Sequence, residues 1–214
     1  MKIYIAGDST AACYTEDRVM VGWGQVLGDF LPGAEVHDEA MAGRSTRTFL
    51  SEGRLDAMDG GLGEGDLLLV QFAHNDEGDK PERHTEPWDD FTENLRTFIR
   101  FARERGAQCV LLTPICMRVW KDGELQETHG EYPEAMRVLA REEGVPLVDV
   151  YRESFLRVRE AGEEGSKAFF MHFRPGEDPR FPEGNSDNAH TKRAGAVCFA
   201  GIVARGLREL GLVE

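Results

Sequence analysis

The stretch Ile3-Tyr4-Ile5-Ala6-Gly7-Asp8-Ser9-Thr10 decides the fold prediction, because an apolar run is followed at once by turn residues. The run predicts a buried strand that ends in a tight turn. Ser9 then lies just beyond the carboxyl end of the first strand, a position from which a hydroxyl group can act as a nucleophile. Gly-Asp-Ser is also typical of ordinary turns and helix caps, so this block alone does not establish a function.

Further short apolar runs alternate with helix-length amphipathic segments. This alternation predicts an α/β fold in which helices cover a parallel sheet. At 214 residues, the chain is predicted to be a single domain, 1–214. The predicted strands are 3–6, 35–38, 67–72, 110–113 and 147–148. The predicted helices begin near Asp89, at Tyr132 and at Lys192, and a long ordered excursion is predicted for 162–188.

Three polar positions follow the first three strands. Ser9 follows the first strand, Gly43 the second and Asn75 the third. Ligands of open α/β sheets bind outside the carboxyl ends of the strands, so we expect these residues at one edge. Near the other end of the chain, Asp187-Asn188-Ala189-His190 supplies a carboxylate and an imidazole that can activate a hydroxyl group.

The chain resembles the SGNH (GDSL-type) hydrolase superfamily in four blocks. These are Gly7-Asp8-Ser9-Thr10, Ala42-Gly43-Arg44-Ser45-Thr46-Arg47, Phe72-Ala73-His74-Asn75-Asp76 and Asp187-Asn188-Ala189-His190. Within the superfamily, the chain looks most like the rhamnogalacturonan acetylesterases. The resemblance implies a flavodoxin-like, three-layer α/β/α sandwich around a central, mostly parallel five-stranded sheet. One departure is Ala73, where many relatives have glycine.

Ester hydrolysis would assign a role to each block. Ser9 would attack the acyl carbon, His190 would take and return the proton, and Asp187 would hold the imidazole in the correct tautomer. The backbone N–H groups of Ser9 and Gly43 and the side-chain amide of Asn75 would stabilise the oxyanion. The alternatives are structural: Asp187 as a helix cap, His190 as a solvated residue, and Asn75 in a plain turn.

The expected substrate is an O-acetylated carbohydrate, in particular a pectic oligosaccharide. Arg44 and Arg47 are predicted to bind substrate carboxylates, because the arginine fork matches a carboxylate in shape. The open alternative is that the basic side chains of this region pair with Glu52, Asp56 or Glu177. His74 is predicted either to line the cleft or to orient the oxyanion amide.

Two other functions remain possible at this stage. One is a lipid, thioester or arylester hydrolase of the same superfamily, and the other is a non-catalytic carbohydrate-binding module. The exposure of Trp88 and Trp120 bears on the choice, because an exposed ring can serve as a sugar platform. The intact Ser9, Asp187 and His190 argue against the binding module.

The amino-acid composition limits the kinds of molecule that this protein is expected to bind. A net charge of −14 argues against binding to nucleic acid or to an anionic membrane surface. Nucleotide-loop and zinc motifs are absent, so we predict neither a cofactor nor a metal. Met1-Lys2 leads directly into the first strand, and we therefore predict a cytoplasmic protein, unless a signal peptide has been removed. The four cysteines are predicted to be reduced core thiols, and the oligomeric state stays open.

Overall fold

A parallel sheet forms the centre of the computed structural model, which describes residues 1–15 and 19–214. Its strands lie in the order β2-β1-β3-β4-β7, and all neighbours run parallel. Their bounds are β1 Lys2–Gly7, β2 Glu35–Asp38, β3 Leu67–Gln71, β4 Gln108–Leu112 and β7 Leu147–Val148. All five predicted strands are thus present, each within two residues of its predicted ends.

Helices cover both faces of this sheet. Successive residues of a strand point to opposite faces, so Ile3 and Ile5 pack into one apolar core while Tyr4 and Ala6 pack into another. The predicted three-layer α/β/α sandwich is confirmed. The helices are α1 Gly24–Leu27, α2 Thr46–Ser51, α3 Thr92–Glu104, α4 Tyr132–Glu143, α5 Val150–Gly165 and α6 Arg193–Glu209, with short helical turns at Gly28–Phe30, Asp56–Met58, Pro87–Phe91 and Ser166–Ala168.

The segment between β7 and α6 holds more regular structure than the sequence predicts. Helix α5 starts at the Asp149 cap, whose side chain accepts a hydrogen bond from the backbone N–H of Arg152. The predicted excursion from 162 to 188 contains an antiparallel hairpin, β8 Phe170–Phe173 with β9 Asn185–Thr191. A smaller hairpin pairs β5 Trp120–Lys121 with β6 Glu124–Leu125.

The cysteines are all free thiols, in different surroundings. Cys109 and Cys116 are buried, and burial raises the pKa of each to about 12. Cys198 is half-buried, whereas Cys13 is exposed, so the prediction of a core thiol is wrong for Cys13. Over residues 1–15 and 19–214, no helix has the length and apolar composition that a membrane span requires.

The start of α6 packs so closely on the preceding segment that a glycine is required. A Cβ on Gly195 would collide with the carbonyl oxygen of Phe169, which also accepts from the backbone N–H of Lys192. We expect Gly195→Ala to lower the free energy of unfolding by about 1–3 kcal/mol through overpacking. Urea unfolding measures this loss.

Gly201→Ala is the matched control in the same helix. Its Cβ would lie 3.4 Å from the Phe30 ring, an ordinary contact. Alanine is the better helix former by about 0.5–1 kcal/mol, so the control is expected to be neutral or stabilising. Equal losses in both variants would contradict the packing argument.

Candidate active site

A tight turn after β1 presents Ser9. The backbone N–H groups of Ala11 and Ala12 both donate to the carbonyl of Asp8, each at 3.2 Å. The side chain of Asp8 accepts from the backbone N–H of Thr10 at 2.9 Å and from its hydroxyl at 2.8 Å. This turn holds Ser9 at the carboxyl edge of the sheet, with 8 % of the residue exposed.

The two ends of the chain meet in one hydrogen-bonded row. The Oγ atom of Ser9 lies 3.0 Å from Nε2 of His190, and Nδ1 of the same ring lies 2.7 Å from Oδ2 of Asp187. Both distances are within hydrogen-bonding range for a nucleophile, a base and a group that orients the base. The structure thus brings together the three predicted catalytic side chains.

Asp187 is held as a carboxylate by its own turn. Its Oδ1 accepts from the backbone N–H groups of Ala189 at 2.9 Å and His190 at 3.0 Å. Partial burial would raise the pKa of Asp187, but the hydrogen bonds from His190 and Ala189 lower it to about 2. The ionised Asp187 accepts a hydrogen bond from Nδ1–H of His190, and in this tautomer the Nε2 lone pair faces Ser9.

Gly43 and Asn75 lie side by side on two loops. Gly43 has a φ of +77°, a conformation that strains side chains other than glycine. The amide of Asn75 donates through Nδ2 to the carbonyl of Arg44 at 3.0 Å, which leaves its second N–H free for a ligand. Within residues 1–15 and 19–214, the backbone N–H groups of Ser9 and Gly43 donate to no other group. The oxyanion role of these donors stays a prediction.

Buried Asp76 fixes the two loops to each other. Its Oδ1 accepts from the backbone N–H of Thr46 at 3.0 Å, from the Thr46 hydroxyl at 2.6 Å and from the Thr85 hydroxyl at 3.0 Å. Burial raises the pKa of Asp76 to about 7, although these donors oppose the shift. From the sequence alone, Asp76 is only part of the turn after β3, and its role in holding the two loops together is not predicted.

The His74 side chain is buried and pairs with Asp8, and its predicted role at the cleft or at the oxyanion amide stays a prediction. Its ring, 7 % exposed, lies 3.1 Å from the Asp8 carboxylate. Burial would lower the pKa of His74, but Asp8 raises it above its ordinary value, and His74 in turn holds the pKa of Asp8 below its own. The ring of His129 packs edge-on against His74 with centroids 4.4 Å apart, and burial lowers the pKa of His129 well below its ordinary value.

The predicted substrate arginines already have carboxylate partners. Arg44 pairs with Glu52 at 2.9 Å, as the open alternative proposed, and Arg47 pairs with Asp90. Their role in substrate binding stays a prediction, and each guanidinium would have to share or leave its carboxylate.

Arg83 lies nearer the site and was missed from the sequence. Its Nη1 and Nη2 would be 3.4 Å from a Cβ on Gly43, and Nη1 donates to Oδ1 of Asn75 at 3.4 Å. Arg83 lies outside the four sequence blocks, in the long segment between β3 and α3.

Asn188, which lies between Asp187 and His190 in β9, is held by hydrogen bonds from His172 and Arg118. His172 donates through Nε2 to Oδ1 of Asn188 at 2.7 Å, and Arg118 reaches the same oxygen at 3.3 Å. The backbone N–H of Arg118 also donates to the Asn188 carbonyl at 2.8 Å. These two side chains hold β9 where it carries His190, and the sequence analysis assigned them no role.

No group of three or more metal-ligating side chains is positioned to hold a metal ion in the part of the chain that the structure describes.

Comparisons with known proteins identify the family of this chain. The model of the GDSL-like Lipase/Acylhydrolase family matches residues 5–196. The chain belongs to this family. It is 41 % identical over 215 residues to the rhamnogalacturonan acetylesterase RhgT of Bacillus subtilis, which covers 99 % of this chain and 91 % of RhgT.

Two further relatives come from the same organism. The probable rhamnogalacturonan acetylesterase YesY is 39 % identical over 98 % of this chain and 94 % of YesY. The crystal structure of YxiM superposes with a TM-score of 0.84 at 27 % identity over 98 % of this chain, which spans only 56 % of the YxiM chain. These findings confirm the SGNH (GDSL-type) assignment, its fold and the predicted class of enzyme, a carboxylic ester hydrolase.

The GDSL-like site yields a first prediction about Asp187. In Asp187→Asn, an amide would face Nδ1 of His190 and favour the wrong ring tautomer. We expect kcat to fall by about 10⁴-fold, as for a wrong-tautomer change in a known triad, with little change in substrate binding. The measurement is steady-state hydrolysis of 4-nitrophenyl acetate.

Asp29→Asn is the control, because it removes one negative charge from an exposed ion pair with Arg193. It should keep the parent's kcat. An unchanged kcat in Asp187→Asn would mean that another group orients the imidazole.

Asp76 predicts a pH dependence of stability. An unfolded Asp loses its proton near pH 4, whereas folded Asp76 keeps its proton up to about pH 7. The unfolded state therefore binds fewer protons in this interval, and the free energy of unfolding falls as pH rises from about 4 to 7. In Asp76→Asn, which keeps the acceptor oxygen, this contribution is absent.

The expected result is a difference between the two proteins that grows by at most about 1.4 kcal/mol per pH unit and levels off above pH 7. Urea unfolding at several pH values measures it. Burial also raises the pKa of Asp38 to about 7, but Asp38 is present in both proteins and cancels in the difference. Parallel stability curves would contradict the assignment.

Proposed function

We propose that this protein is a serine esterase that removes O-acetyl groups from carbohydrate, specifically from rhamnogalacturonan-type oligosaccharides. The observation that carries the proposal is the row of Ser9, His190 and Asp187 at distances of 3.0 and 2.7 Å. The identity of 41 % to a rhamnogalacturonan acetylesterase supports the substrate.

The proposed reaction has two halves. Ser9 Oγ attacks the acetyl carbon while its proton passes to Nε2 of His190, and the carbonyl electrons move to the oxyanion. The tetrahedral intermediate then collapses, and His190 returns the proton to the sugar oxygen as the C–O bond breaks. A water molecule attacks the acetyl-Ser9 ester with His190 as base, and acetate leaves with the hydroxyl restored.

Stabilisation of the oxyanion is assigned to the N–H groups of Ser9 and Gly43 and to the amide of Asn75. These donors are fixed in place before the reaction, because Asp76 and Arg44 hold the loops that carry Gly43 and Asn75. Donors that need no reorganisation contribute most to such a transition state, and the loss of one costs roughly 2.7–4 kcal/mol.

A polar substrate fits the surroundings of this site. The large apolar side chains that are exposed are scattered, and of these Met41 and Trp88 lie in the two loops that carry the Gly43 and Asn75 blocks. Trp88 is 49 % exposed, as a sugar platform requires, whereas Trp120 is half-buried. We keep the single domain over 1–214 and the cytoplasmic location as proposals from the sequence.

The test is acetate release from acetylated rhamnogalacturonan oligosaccharides. Ser9→Ala is expected to lose at least about 10³-fold in kcat, and a serine-directed phosphonate is expected to label Ser9. Ser51→Ala is the matched control, because the exposed Ser51 hydroxyl donates to the carbonyl of Thr48 and, among the described residues, makes no other hydrogen bond. It should retain full activity.

Two outcomes would each contradict one part of the proposal, either the nucleophile or the substrate. Full activity of Ser9→Ala would remove Ser9 as the nucleophile. If the wild type hydrolysed aryl or lipid esters but released no acetate from any acetylated sugar, the protein would still be an esterase. Its substrate would then belong to another class.

A further inference from the structure

Arg83 differs from Arg44 and Arg47, the two arginines predicted to bind substrate, in having no carboxylate partner among the described residues. Arg44 pairs with Glu52, and Arg47 pairs with Asp90. Among the described residues, Arg83 forms no ion pair, and its guanidinium makes one weak hydrogen bond, to Oδ1 of Asn75 at 3.4 Å. Most of its five N–H donors therefore remain available to a ligand.

The Arg83 guanidinium lies directly over the predicted oxyanion loop. Both terminal nitrogens would be 3.4 Å from a Cβ on Gly43, so the absence of a side chain at Gly43 lets the cation approach the loop. A group bound to Arg83 would thus lie beside Gly43 and Asn75, two of the predicted oxyanion donors.

The segment that carries Arg83 is fixed in place. The backbone N–H of Arg83 donates to the carbonyl of Lys80 at 2.9 Å. Two residues later, buried Thr85 donates to Asp76 through its backbone at 3.1 Å and through its hydroxyl at 3.0 Å. Because the backbone is held on both sides, less entropy is lost when the side chain binds a ligand.

We propose that Arg83 binds the carboxylate of a uronic-acid unit in the substrate. The inference rests on the proposed carbohydrate acetylesterase function. A guanidinium can donate two parallel hydrogen bonds to a carboxylate, a geometry that lysine does not reproduce. The acetyl ester itself carries no negative charge, so the carboxylate must belong to the sugar that bears the acetyl group or to its neighbour.

The alternative role of Arg83 is to position Asn75. In that case, its loss would weaken the oxyanion amide and lower kcat equally for charged and neutral substrates. A role in binding a carboxylate would instead raise KM for charged substrates alone. The two roles are therefore separated by comparing one substrate with and without its charge.

The experiment uses O-acetylated oligogalacturonates as free acids and the same material with every carboxyl group methyl-esterified. Acetate release gives kcat and KM for the wild type, Arg83→Gln and Arg83→Lys. For Arg83→Gln on the free acid, we expect KM to rise about 10- to 100-fold. On the methyl ester, KM should stay within about threefold of the wild type, and Arg83→Lys should recover only part of the loss.

Arg157→Gln is the matched control, because it also removes one positive charge and Arg157 pairs with the exposed Glu160 on α5. It should change neither KM. A second measurement needs no turnover. Calorimetry gives the affinity of the unacetylated free acid for Ser9→Ala and for the Ser9→Ala/Arg83→Gln double variant. The double variant should bind about 10- to 100-fold more weakly.

Equal losses on both substrates, or equal affinities in the calorimetry, would overturn the proposal and leave Arg83 as a positioning residue for Asn75. Turnover of the methyl ester by the wild type would still establish the acetylesterase function. Absence of acetate release from either material, and from acetylated rhamnogalacturonan, would instead refute the proposed function on which this inference rests.

Discussion

The parallel register of β1 with its two neighbours is the constraint on which the site depends. Gly7 at the end of β1 is level with Gln71 at the end of β3, and Ile5 is level with Asp38 at the end of β2. Three loops therefore leave the sheet at the same edge, and they carry Ser9, Gly43 and Asn75. A slip of one strand by a single residue would turn its side chains to the opposite face and separate the three loops.

Beneath this edge lies a buried layer of polar groups, in which Oδ2 of Asp76 and Nε2 of His129 have no hydrogen-bond partner among the described residues. Gln71 accepts from the indole N–H of Trp23 and donates to the carbonyl of Thr113 at 3.2 Å. Asp8 and His74, each of which shifts the pKa of the other toward its charged form, lie in the same layer. Burial of charges is costly unless they are paired and hydrogen-bonded. A deformation of the turn at Ser9 that separated Asp8 from His74 would therefore cost several kcal/mol. We conclude that this polar layer restricts Ser9 to one position.

Ala73 adds local strain to the same loop. Its φ of 124° lies in a region that side chains other than glycine rarely adopt, at a cost of about 1–3 kcal/mol. Ala73 is fully buried between β3 and Asn75, where packing can offset part of this cost. Such strain persists only where the surroundings fix the backbone, and here the buried Asp76 and the strand before it do so.

The parts that the sequence predicts are those encoded near one another along the chain. Apolar runs mark the five strands, and Ser9 and Asn75 follow directly from the strands before them. Helix α5 was not predicted because its buried face includes Ser154, which accepts from the backbone N–H of Cys116, so the apolar period is broken. Arg83 could not be predicted either, because it lies between motifs and only the folded loop brings it to Gly43.

Charge also has to be judged locally rather than over the whole chain. The net charge of −14 would repel an acidic oligosaccharide at long range, but salt at physiological strength screens exposed charges beyond about 8 Å. Within that distance, the closest groups decide the sign of the field, and Arg44 and Arg47 already pair with Glu52 and Asp90. An unpaired guanidinium beside Gly43 therefore has more effect on an approaching carboxylate than the acidic surface does. An acidic protein can thus have an acidic substrate, provided that one cation at the point of contact is left without a partner.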